Sequence, residues 1–390
     1  MPHFAVIGAG ITGVTTAWVL RKKGYDVTVF DRHRYPAMET SYANGGQLSA
    51  SNAEVWTNIG TMLKGAKWMF SPDAPLLFNP KPSWHKYSWM VEFASNFRHY
   101  EANTIKTVQM AMAARQHLMA FAEEAGIDFD REMRGILHIY SSHREFDHAH
   151  RVTGLLAKGG LSRRQLTPDE VYALEPALKK PLIGGYYTES DFTGDIHKFT
   201  TKLAQAAEEH GVNFQMNCAV DQIDHNGAQP IIRWADLKKT KHEQAFDGVV
   251  ITAGTGSREL AQDLGDKVNV YPVKGYSITV EMKDKTSQQA APWISLLDDG
   301  AKIVTARLGT ERLRVAGTAE FNGYNYDIRA DRIAPLTRWV NENFPDVSTE
   351  KVIPWAGLRP MMPNMLPHVG KGKKRGVFYN TGHEHLGWTL

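Results

Sequence analysis

The sequence predicts an α/β fold, with α+β character overall, in which a Rossmann-like nucleotide-binding domain is joined to a second domain. Three observations support this fold class. The chain opens with a strand, a glycine-rich turn, a helix and a second strand, in that order. A similar pattern of helix and strand returns around residue 200. The length of 390 residues also exceeds the size at which single hydrophobic cores usually stop growing, so two domains are expected.

The opening stretch, FAVIGAGITGVTTAWVLRKKGYDVTVFDR, carries the strongest signal. Phe4 to Ile7 form a short apolar run, which is typical of a buried parallel strand. Gly8, Gly10 and Gly13 follow as G-x-G-x-x-G. In this motif the first glycine permits a tight turn, the second lets a pyrophosphate approach the backbone, and the third lets the helix pack on the strand. The spacing predicts a dinucleotide site.

The flanking elements strengthen this prediction. Ile11 and Thr12 open a helix whose free amides and positive dipole end suit phosphate groups. Gly24 ends the helix. A second strand, Asp26 to Phe30, then places Asp31 at its tip, where a carboxylate can accept hydrogen bonds from a ribose diol. The motif by itself does not distinguish NAD from FAD.

A segment just beyond this unit favours a flavin. Met38 to Ser51, METSYANGGQLSAS, is rich in small and polar residues and contains the adjacent Gly45 and Gly46. Such a segment can lie against a flat ligand with polar edges and donate backbone amides to it. An NAD domain would normally return at once to another strand and helix. An ordinary surface loop is the alternative for this segment, and a nicotinamide dehydrogenase is the alternative for the protein.

The nucleotide-binding domain is predicted to be discontinuous. Asp195 is a candidate N-cap for a helix that Gly211 closes, and the next strand leads to Val220. The run FDGVVITAGTGS then predicts a buried strand, Val249 to Thr252, that ends in a glycine-containing turn. Sheet elements of this domain therefore return after a long insertion.

The other segments predict a second domain that contains a sheet. GILHIYSS, GGYYTES, YSITVEM, KIVTARL and RLRVAGTAEF are predicted strands, and their alternation suits a half-exposed sheet over a ligand. A tryptophan-rich stretch, Trp56 to Trp89, is either an insertion that covers the core or a peripheral membrane patch. The candidate membrane-contact residues in it are Lys64, Lys67, Trp68, Lys81 and Trp84.

Composition excludes several classes of protein. The net charge of +3 is too small to predict nucleic acid as the main partner. The single cysteine, Cys218, excludes an internal disulfide and a cysteine-based zinc site. The sequence contains no run of about 18 apolar residues and does not open with a secretory signal. We therefore expect a cytoplasmic or peripherally membrane-bound protein.

Together these residues resemble a known family. The glycine motif and Asp31 are followed by TSYANGGQLS, TGDIHKF, VVITAGTGS, YPVKGYSIT, WAGLRPMMPNMLPHVG and NTGHEHLGWTL. Their order is similar to that in the D-amino acid oxidase (DAO) superfamily of FAD-dependent oxidoreductases, and most similar to its D-amino acid dehydrogenase small-subunit branch. The resemblance implies an FAD-binding domain at residues 1–55, 190–265 and 350–390. It also implies a substrate domain, built on a large mixed or antiparallel sheet, at residues 56–189 and 266–349.

The resemblance further implies which residues contact FAD. Backbone amides near the end of the sequence are expected over the pyrimidine ring of the flavin, with His383 near the flavin edge. The implied cofactor-binding residues are Gly8, Gly10, Ile11, Thr12, Gly13, Asp31, Arg32, Thr40, Ser41, Asn44, Gly45, Gly46, Gln47, Val220, Ala253, Gly254, Gly382, Leu386, Gly387, Trp388 and Thr389.

Arg359, in GLRP, is the candidate anchor for a substrate carboxylate, because a guanidinium can bind a carboxylate with two parallel hydrogen bonds. It also matches the substrate arginine of the family; an ordinary salt bridge is the alternative. Tyr276 is expected either to contact the substrate or to pack in the core, and Lys274 to lie near the flavin. His383 and His385 form H-x-H without an acidic or cysteine partner at a helpful spacing, so no metal is predicted.

The activity implied is oxidative deamination of a small amino acid, in the first place a D-amino acid. Hydride passes from Cα–H to flavin N5, which gives an imino acid, and the electrons pass to a quinone or another acceptor. One alternative is an oxidase of the glycine, sarcosine or opine type that uses oxygen. Another is a non-catalytic flavin-binding protein. Peripheral contact with the cytoplasmic face of the inner membrane is a further expectation.

The sequence departs from the family near the expected pocket. Glu384 and His385 stand where the family usually has glycine and a small residue, and Asn364 stands where it has aspartate. The amino-acid preference therefore stays open. In the family the chain continues beyond GWTL into one more helix, so we expect a further segment after Leu390.

Overall fold

A computed structural model describes residues 1–58, 60, 75–225 and 227–390 of the chain. The membrane-contact candidates Lys64, Lys67 and Trp68 lie outside these residues. The helices of the described part are α1 (Ile11–Lys22), α2 (Trp84–Ser95), α3 (Tyr100–Glu124), α4 (His143–Lys158), α5 (Pro168–Leu174), α6 (Ile196–Glu209), α7 (Ser257–Asp263), α8 (Lys285–Ala290) and α9 (Ala330–Asn343). None of these helices is long and apolar enough to cross a membrane.

Strands account for most of the remaining regular structure in the same residues. The first ten are β1 (His3–Ile7), β2 (Asp26–Phe30), β3 (Gln47–Leu48), β4 (Leu76–Phe78), β5 (Ile136–Tyr140), β6 (Arg164–Leu166), β7 (Gly184–Thr188), β8 (Phe192–Thr193), β9 (Asn213–Gln215) and β10 (Ala219–His225). The later ones are β11 (Pro230–Ala235), β12 (Lys241–Ala245), β13 (Gly248–Ile251), β14 (Tyr271–Glu281), β15 (Ser295–Asp298), β16 (Ile303–Leu308), β17 (Arg312–Phe321), β18 (Val352–Met361), β19 (His368–Lys371) and β20 (Val377–Thr381).

A six-stranded sheet carries the glycine-rich turn. Its order is β19-β20-β13-β1-β2-β9, and β1 runs parallel to both β13 and β2. The strands come from both ends and the middle of the chain, which confirms the prediction of a discontinuous Rossmann-like unit. Ala5, Val6 and Ile7 are buried on both faces of β1, as a central parallel strand requires.

Two helices cover one face of this sheet. Val14, Ala17 and Trp18 of α1 pack with Phe199 and Leu203 of α6 in one apolar cluster. Burying a large apolar side chain contributes about 1.5–3 kcal/mol. The burial of this cluster therefore holds α1 against the sheet and so fixes the position of the start of the helix. The side chain of Asp195 caps α6, as predicted, and accepts from the amides of residues 197 and 198 at 3.0 and 3.1 Å.

A second, larger sheet is mixed, as predicted. Its order is β18-β14-β17-β16-β15-β5-β7-β6, with β4 beside β17. Most neighbours are antiparallel, but β15 and β5 are parallel. The expectation of a half-exposed sheet is wrong, because β14 and β17 are buried along nearly their whole length. Leu336 and Val340 of α9 cover one face. The segment before β3 covers the other, where Ser277 Oγ donates to the Ala43 carbonyl at 2.7 Å.

The structure places strand β18 and the strands that follow it in different sheets. Residues 350–390 were assigned to the FAD-binding domain, but β18 pairs with β14 over ten residue positions in the large sheet. The chain returns to the six-stranded sheet only with β19 and β20. Arg359, on β18, therefore lies on the large sheet.

Candidate active site

A cavity of about 960 Å³ is lined by residues of both sheets. It extends from the glycine turn after β1 to the last strands of the large sheet. Each cofactor-binding residue that the sequence analysis named lines this cavity, except Gly13. The cavity lies at the upper end of the size range of ligand pockets, as a dinucleotide with a small substrate requires.

The glycine turn is shaped by close backbone approaches. Gly8 has φ +107°, and a Cβ there would lie 2.8 Å from the Thr252 carbonyl oxygen. A Cβ on Gly13 would overlap the carbonyl oxygen of Gly8, so this residue packs the helix on the strand as predicted. A Cβ on Gly10 would meet only Ser41 Oγ, at 3.4 Å, beside the cavity. The backbone at this position is therefore open to a ligand.

The start of α1 is prepared for an anion. Its N-cap residue, Gly10, has no side chain, and the first turn contains no acidic residue. The Ile11 amide donates to Ser41 Oγ at 3.0 Å, which ties the helix start to the segment between β2 and β3. Asp31 is held at the tip of β2, where its carboxylate accepts from the amides of Ala9 and His33 at 2.6 and 2.8 Å. An unscreened helix N-terminus next to this carboxylate fits a pyrophosphate joined to a ribose.

The segment of residues 40–47 lies flat against the large sheet. A Cβ on Gly45 would lie 2.7 Å from Val304, and one on Gly46 would lie 2.8 Å from Ala306. These contacts explain why the segment carries two adjacent glycines. Gln47 Nε2 donates to Ser295 Oγ at 2.7 Å, which fixes the end of the segment on the sheet.

The last residues of the sequence form another part of the cavity wall, next to the end of this segment. Strand β20 leads into a turn at Gly382 and a short 3₁₀ helix, Glu384–Leu386. Thr389 Oγ1 accepts from the Ser49 amide at 3.1 Å. Trp388 packs edge-on against Phe199, with ring centroids 5.2 Å apart. The stretch is thus anchored in the interior, with Leu386 to Thr389 lining the cavity.

Arg359 is the cationic side chain at the sheet end of the cavity. A Cβ on Gly275 would overlap its guanidinium, so the glycine of β14 makes room for it. Its Nη1 donates to the Thr318 carbonyl at 3.1 Å. Among the described residues, no carboxylate lies within ion-pair distance of Arg359. Burial lowers the pKa of this guanidinium to about 10, without an offsetting charge.

Three ionisable side chains that line the same cavity have pKa values shifted against their charged forms. Burial lowers the pKa of His383 to about 4. Burial and the charge of Arg359 lower the pKa of His385 to about 3. Burial raises the pKa of the Glu384 carboxyl well above its usual range. The His385 ring stacks on Trp56 at a centroid distance of 4.7 Å, a contact that sequence reasoning missed because nothing in the pattern links residues so far apart.

Tyr276 does not point toward Arg359. Its ring packs in the cluster that contains Leu336 of α9, and its hydroxyl donates to Glu320 Oε2 at 2.6 Å. Lys274, also expected near the flavin, lies in the same group, with Nζ 3.3 Å from Glu320. Successive residues of a strand face opposite sides of the sheet, and the cavity side of β14 carries Gly275 instead. The ring and hydroxyl contacts of Tyr276 therefore fit the core alternative, although the residue also lines the cavity.

Charged residues at a second part of the cavity wall were also missed. Glu54, Glu145, His148, Asp299 and Lys302 all line it. They come from three separate segments, so no spacing in the sequence groups all of them. Within the described ranges, no cluster of histidine, cysteine and acidic side chains could hold a metal ion.

These features together define a flavin-type dinucleotide site in a two-sheet oxidoreductase. The FAD dependent oxidoreductase (DAO) family matches residues 3–390, so the chain belongs to this family. FAD is its cofactor, and the unhindered helix start, Asp31 and the flat glycine segment fit that group.

Similar proteins cover almost the whole chain. D-amino acid dehydrogenase 3 of Mesorhizobium japonicum is 58% identical over 390 residues, which cover 100% of this chain and 94% of that protein. A D-amino acid dehydrogenase of Paramagnetospirillum magneticum is 39% identical over 396 residues, with 99% and 91% covered. Among solved structures, glycine oxidase from Geobacillus kaustophilus has a TM-score of 0.77 at 20% identity, with 100% and 92% covered. L-proline dehydrogenase from P. horikoshii has a TM-score of 0.74 at 16% identity, with 100% and 89% covered. The solved structures establish the fold alone.

Proposed function

We propose that this FAD-dependent oxidoreductase oxidises D-amino acids to imino acids and passes the electrons to a quinone or another acceptor. The observation that carries the proposal is the guanidinium of Arg359, which lacks an ionic partner among the described residues and lies in the cavity that the glycine turn also lines. The D-amino acid dehydrogenases that share 58% and 39% identity support the substrate class.

The cofactor is assigned to the six-stranded side of the cavity. Gly8, Gly10 and the first amides of α1 would hold the pyrophosphate, and Asp31 a ribose hydroxyl. Residues 40–47 and the amides of residues 386–389 would border the flavin. Bound FAD supplies the acceptor for the hydride. On this proposal the FAD-binding domain comprises residues 1–55, 190–265 and 362–390, and residues 266–361 belong to the substrate domain together with the insertion before residue 190.

Arg359 would bind the substrate carboxylate. A buried cation without a partner is costly, and an incoming carboxylate offsets that cost with two charge-assisted hydrogen bonds. Gly275 and the Thr318 carbonyl set the orientation of the guanidinium. The carboxylate position then fixes where Cα and its hydrogen lie, which is the main contribution that hydride transfer needs from a protein.

Three groups of the cavity wall near the end of the sequence would define the rest of the pocket. Burial disfavours the charged forms of His383, Glu384 and His385, so they neither attract a second carboxylate nor compete for the first. The stacked pair of Trp56 and His385 offers a flat, largely apolar wall to the amino-acid side chain. We therefore assign neutral D-amino acids as the preferred substrates.

The test is anaerobic reduction of the purified holoprotein. A neutral D-amino acid should bleach the visible flavin band, and its L-enantiomer should not. Bleaching by sarcosine, glycine or an opine, without bleaching by any D-amino acid, would overturn the substrate assignment.

An oxidase that uses oxygen is the second candidate, because the fold is shared with glycine oxidase. Hydrogen peroxide formed in equal amount to the imino acid would favour it. Rapid reduction of a quinone analogue with little peroxide would favour the dehydrogenase. A flavin that no amine reduces would leave the non-catalytic alternative.

Membrane contact is proposed from one exposed helix face. On α2, Trp84 and Val91 are 82% and 72% exposed, and Lys81 lies just before the helix. Apolar side chains next to a lysine suit the surface of an anionic bilayer. We place the protein in the cytoplasm, in peripheral contact with the inner membrane. Trp84→Ser with Val91→Ser should weaken co-sedimentation with anionic vesicles, and an unchanged bound fraction would contradict this contact.

A further inference from the structure

A row of hydrogen-bonded side chains crosses the cavity wall and has no role in the proposed function so far. Ser49 Oγ lies 3.0 Å from Ser51 Oγ, and Ser51 Oγ lies 2.9 Å from His138 Nε2. All three side chains are buried, with exposed fractions of 1%, 2% and 3%. Buried polar side chains are costly unless their hydrogen bonds are satisfied, so three of them bonded one after another require an explanation.

One end of the row opens beside the last residues of the sequence. Ser49 lines the cavity, and its amide donates to Thr389 Oγ1 at 3.1 Å. The next residues of the same segment, which include Asn52 and Trp56, line the cavity as well. Trp56 stacks on His385, whose pKa is lowered in part by the charge of Arg359. This end therefore shares the cavity with the proposed carboxylate anchor.

The other end reaches charged groups that are open to solvent. His138 Nδ1 lies 3.6 Å from Asp299 Oδ2, and Lys302 Nζ lies 2.7 Å from Asp299 Oδ1. Lys302 is 48% exposed. Nearby on the cavity wall, His148 pairs with Glu54 at 3.2 Å and is 46% exposed. The row thus joins the interior of the cavity to its solvent-facing rim.

Hydrogen-bond chemistry gives the row a direction. A carboxylate can only accept, so the closeness of Asp299 to His138 Nδ1 favours the tautomer that carries the proton on this nitrogen. The opposite nitrogen of the neutral ring must then accept from the Ser51 hydroxyl. Ser51 in turn accepts from Ser49. With this tautomer, the hydroxyl protons of Ser49 and Ser51 point from the cavity toward Asp299, which is the arrangement that passes a proton outward. The Asp191 carboxylate, which is paired with Arg115, also borders Ser51 and accepts from its amide at 3.0 Å.

We propose that Ser49, Ser51 and His138 form a proton relay that carries the ammonium proton of the bound amino acid to Asp299 and the solvent. The inference rests on the proposed function, since an amino acid zwitterion must lose one N–H proton before its nitrogen lone pair can assist hydride loss. An N–H bond breaks at the substrate and an O–H bond forms at Ser49. Each relay member gives up its own proton as it receives one, and the Asp299 carboxylate accepts the last and releases it to water. No electrons move in this step.

The groups around His138 suit a transmitter that does not hold the proton. Burial and the charge of Arg163 lower the pKa of the His138 ring to about 4, against the opposing influence of Asp299. Lys302 also faces the ring and lowers its pKa. Burial raises the pKa of Asp299, but the Lys302 charge and the His138 contact outweigh this and hold that pKa well below its usual range. Asp299 thus returns an accepted proton quickly. The 3.6 Å link becomes a hydrogen bond after a shift of about 0.5 Å.

The kinetic test compares Ser51→Ala and His138→Gln with wild-type holoenzyme. His85→Gln is the matched control. Burial also lowers the pKa of His85 to about 4. However, His85 hydrogen-bonds to the Val270 carbonyl and is not among the residues that line the cavity. Anaerobic reduction of the flavin by a D-amino acid is followed across pH, with FAD content measured for each protein. Both relay variants should be slowed roughly 10- to 100-fold at neutral pH and should recover at high pH, where the substrate arrives already deprotonated. The control should match wild type.

Two results would overturn the relay. One is an unchanged rate and pH profile in both relay variants. The other is an equal loss at every pH, which indicates a structural role. A wild-type flavin that no D-amino acid reduces would instead refute the proposed function.

The relay has a test that needs no substrate. Nitrogen NMR of histidine-labelled holoenzyme, assigned with His138→Gln, should show His138 neutral near pH 7 with Nδ1 protonated and Nε2 accepting. Protonation of Nε2 would reverse the row and refute the relay.

Discussion

Replacing Arg359 with methionine separates a substrate anchor from a structural arginine. A hydrogen bond to a charged group contributes about 1.5–3 kcal/mol, and the proposed carboxylate contact makes two of them. A free-energy difference of about 1.4 kcal/mol corresponds to a factor of ten. We therefore expect kcat/KM for a D-amino acid to fall by about 10²- to 10⁴-fold. Arg359→Lys keeps the charge without the fork, so its loss should be intermediate.

The same substitution should not destabilise the protein. Burial lowers the pKa of Arg359 from 12.5 to about 10. At 1.36 kcal/mol for each unit, this corresponds to a desolvation cost of at most about 3 kcal/mol. No described carboxylate offsets this cost, and methionine removes it, but methionine also leaves the buried Thr318 carbonyl without the hydrogen bond from Arg359. The two effects are of similar size, so the unfolding free energy of the apoprotein should change little.

Arg314→Met is the matched control. Burial also lowers the pKa of Arg314 to about 10, but its guanidinium donates to Thr279 Oγ1 at 2.9 Å and to the Asn44 carbonyl at 2.8 Å. Removing it leaves buried acceptors unpaired, which should cost about 1–3 kcal/mol. Denaturant unfolding of both apoproteins, with kinetics normalised to FAD content, makes the comparison. If Arg359→Met destabilises the fold as much as the control, and its kcat/KM loss follows its FAD loss, Arg359 is a structural residue.

Three further changes test other parts of the site. Gly13→Ala should abolish FAD retention, because the added Cβ would overlap the carbonyl oxygen of Gly8; a yellow variant with normal FAD content would contradict the described turn. Tyr276→Phe should keep kcat/KM nearly unchanged and lower the unfolding free energy by about 1–3 kcal/mol, because Glu320 loses a hydrogen bond. A large loss of kcat/KM at unchanged stability would instead indicate that Tyr276 contacts the substrate. Burial lowers the pKa of His383 to about 4 in the folded state, so between this value and the unfolded value of about 6.5 the unfolded chain binds more protons. The unfolding free energy should therefore fall as the pH drops through that window. His383→Asn should flatten this part of the curve of unfolding free energy against pH. An unchanged slope would show that His383 does not titrate as described.

The glycine turn was predictable because its physics is local. Gly8 needs a positive φ and Gly13 a close packing contact, and both requirements act within one strand–turn–helix unit. Asp195 was identified for the same reason, since an N-cap bonds amides two and three residues ahead. Such short-range constraints leave a clear pattern in sequence.

The faces of the large sheet were not predictable in this way. Alternation along β14 separates Tyr276 from Gly275, but it does not reveal which face borders the cavity. That choice depends on α9, which packs on the Tyr276 side from a distant part of the chain. The assignment of β18 to the large sheet likewise depends on its long-range pairing with β14.

The charged rim and the relay were invisible for a related reason. Ser51, His138 and Asp299 lie on three separated segments, and each is an ordinary residue in its own context. Arg359 was found because its neighbours resemble a family motif, whereas its lack of an ionic partner could be seen only in the folded chain.

The central claim is that a carboxylate-anchored D-amino acid loses hydride in this cavity. A single-turnover experiment tests it directly: anaerobic holoenzyme is mixed with substoichiometric D-alanine, and reduced flavin, 2-oxo acid and ammonia are quantified. We expect the three to appear in equal amounts, with none formed from L-alanine and with the reaction of Arg359→Met slowed by about 10²- to 10⁴-fold. Equal reduction by both enantiomers, or flavin reduction that Arg359→Met leaves intact, would contradict this account.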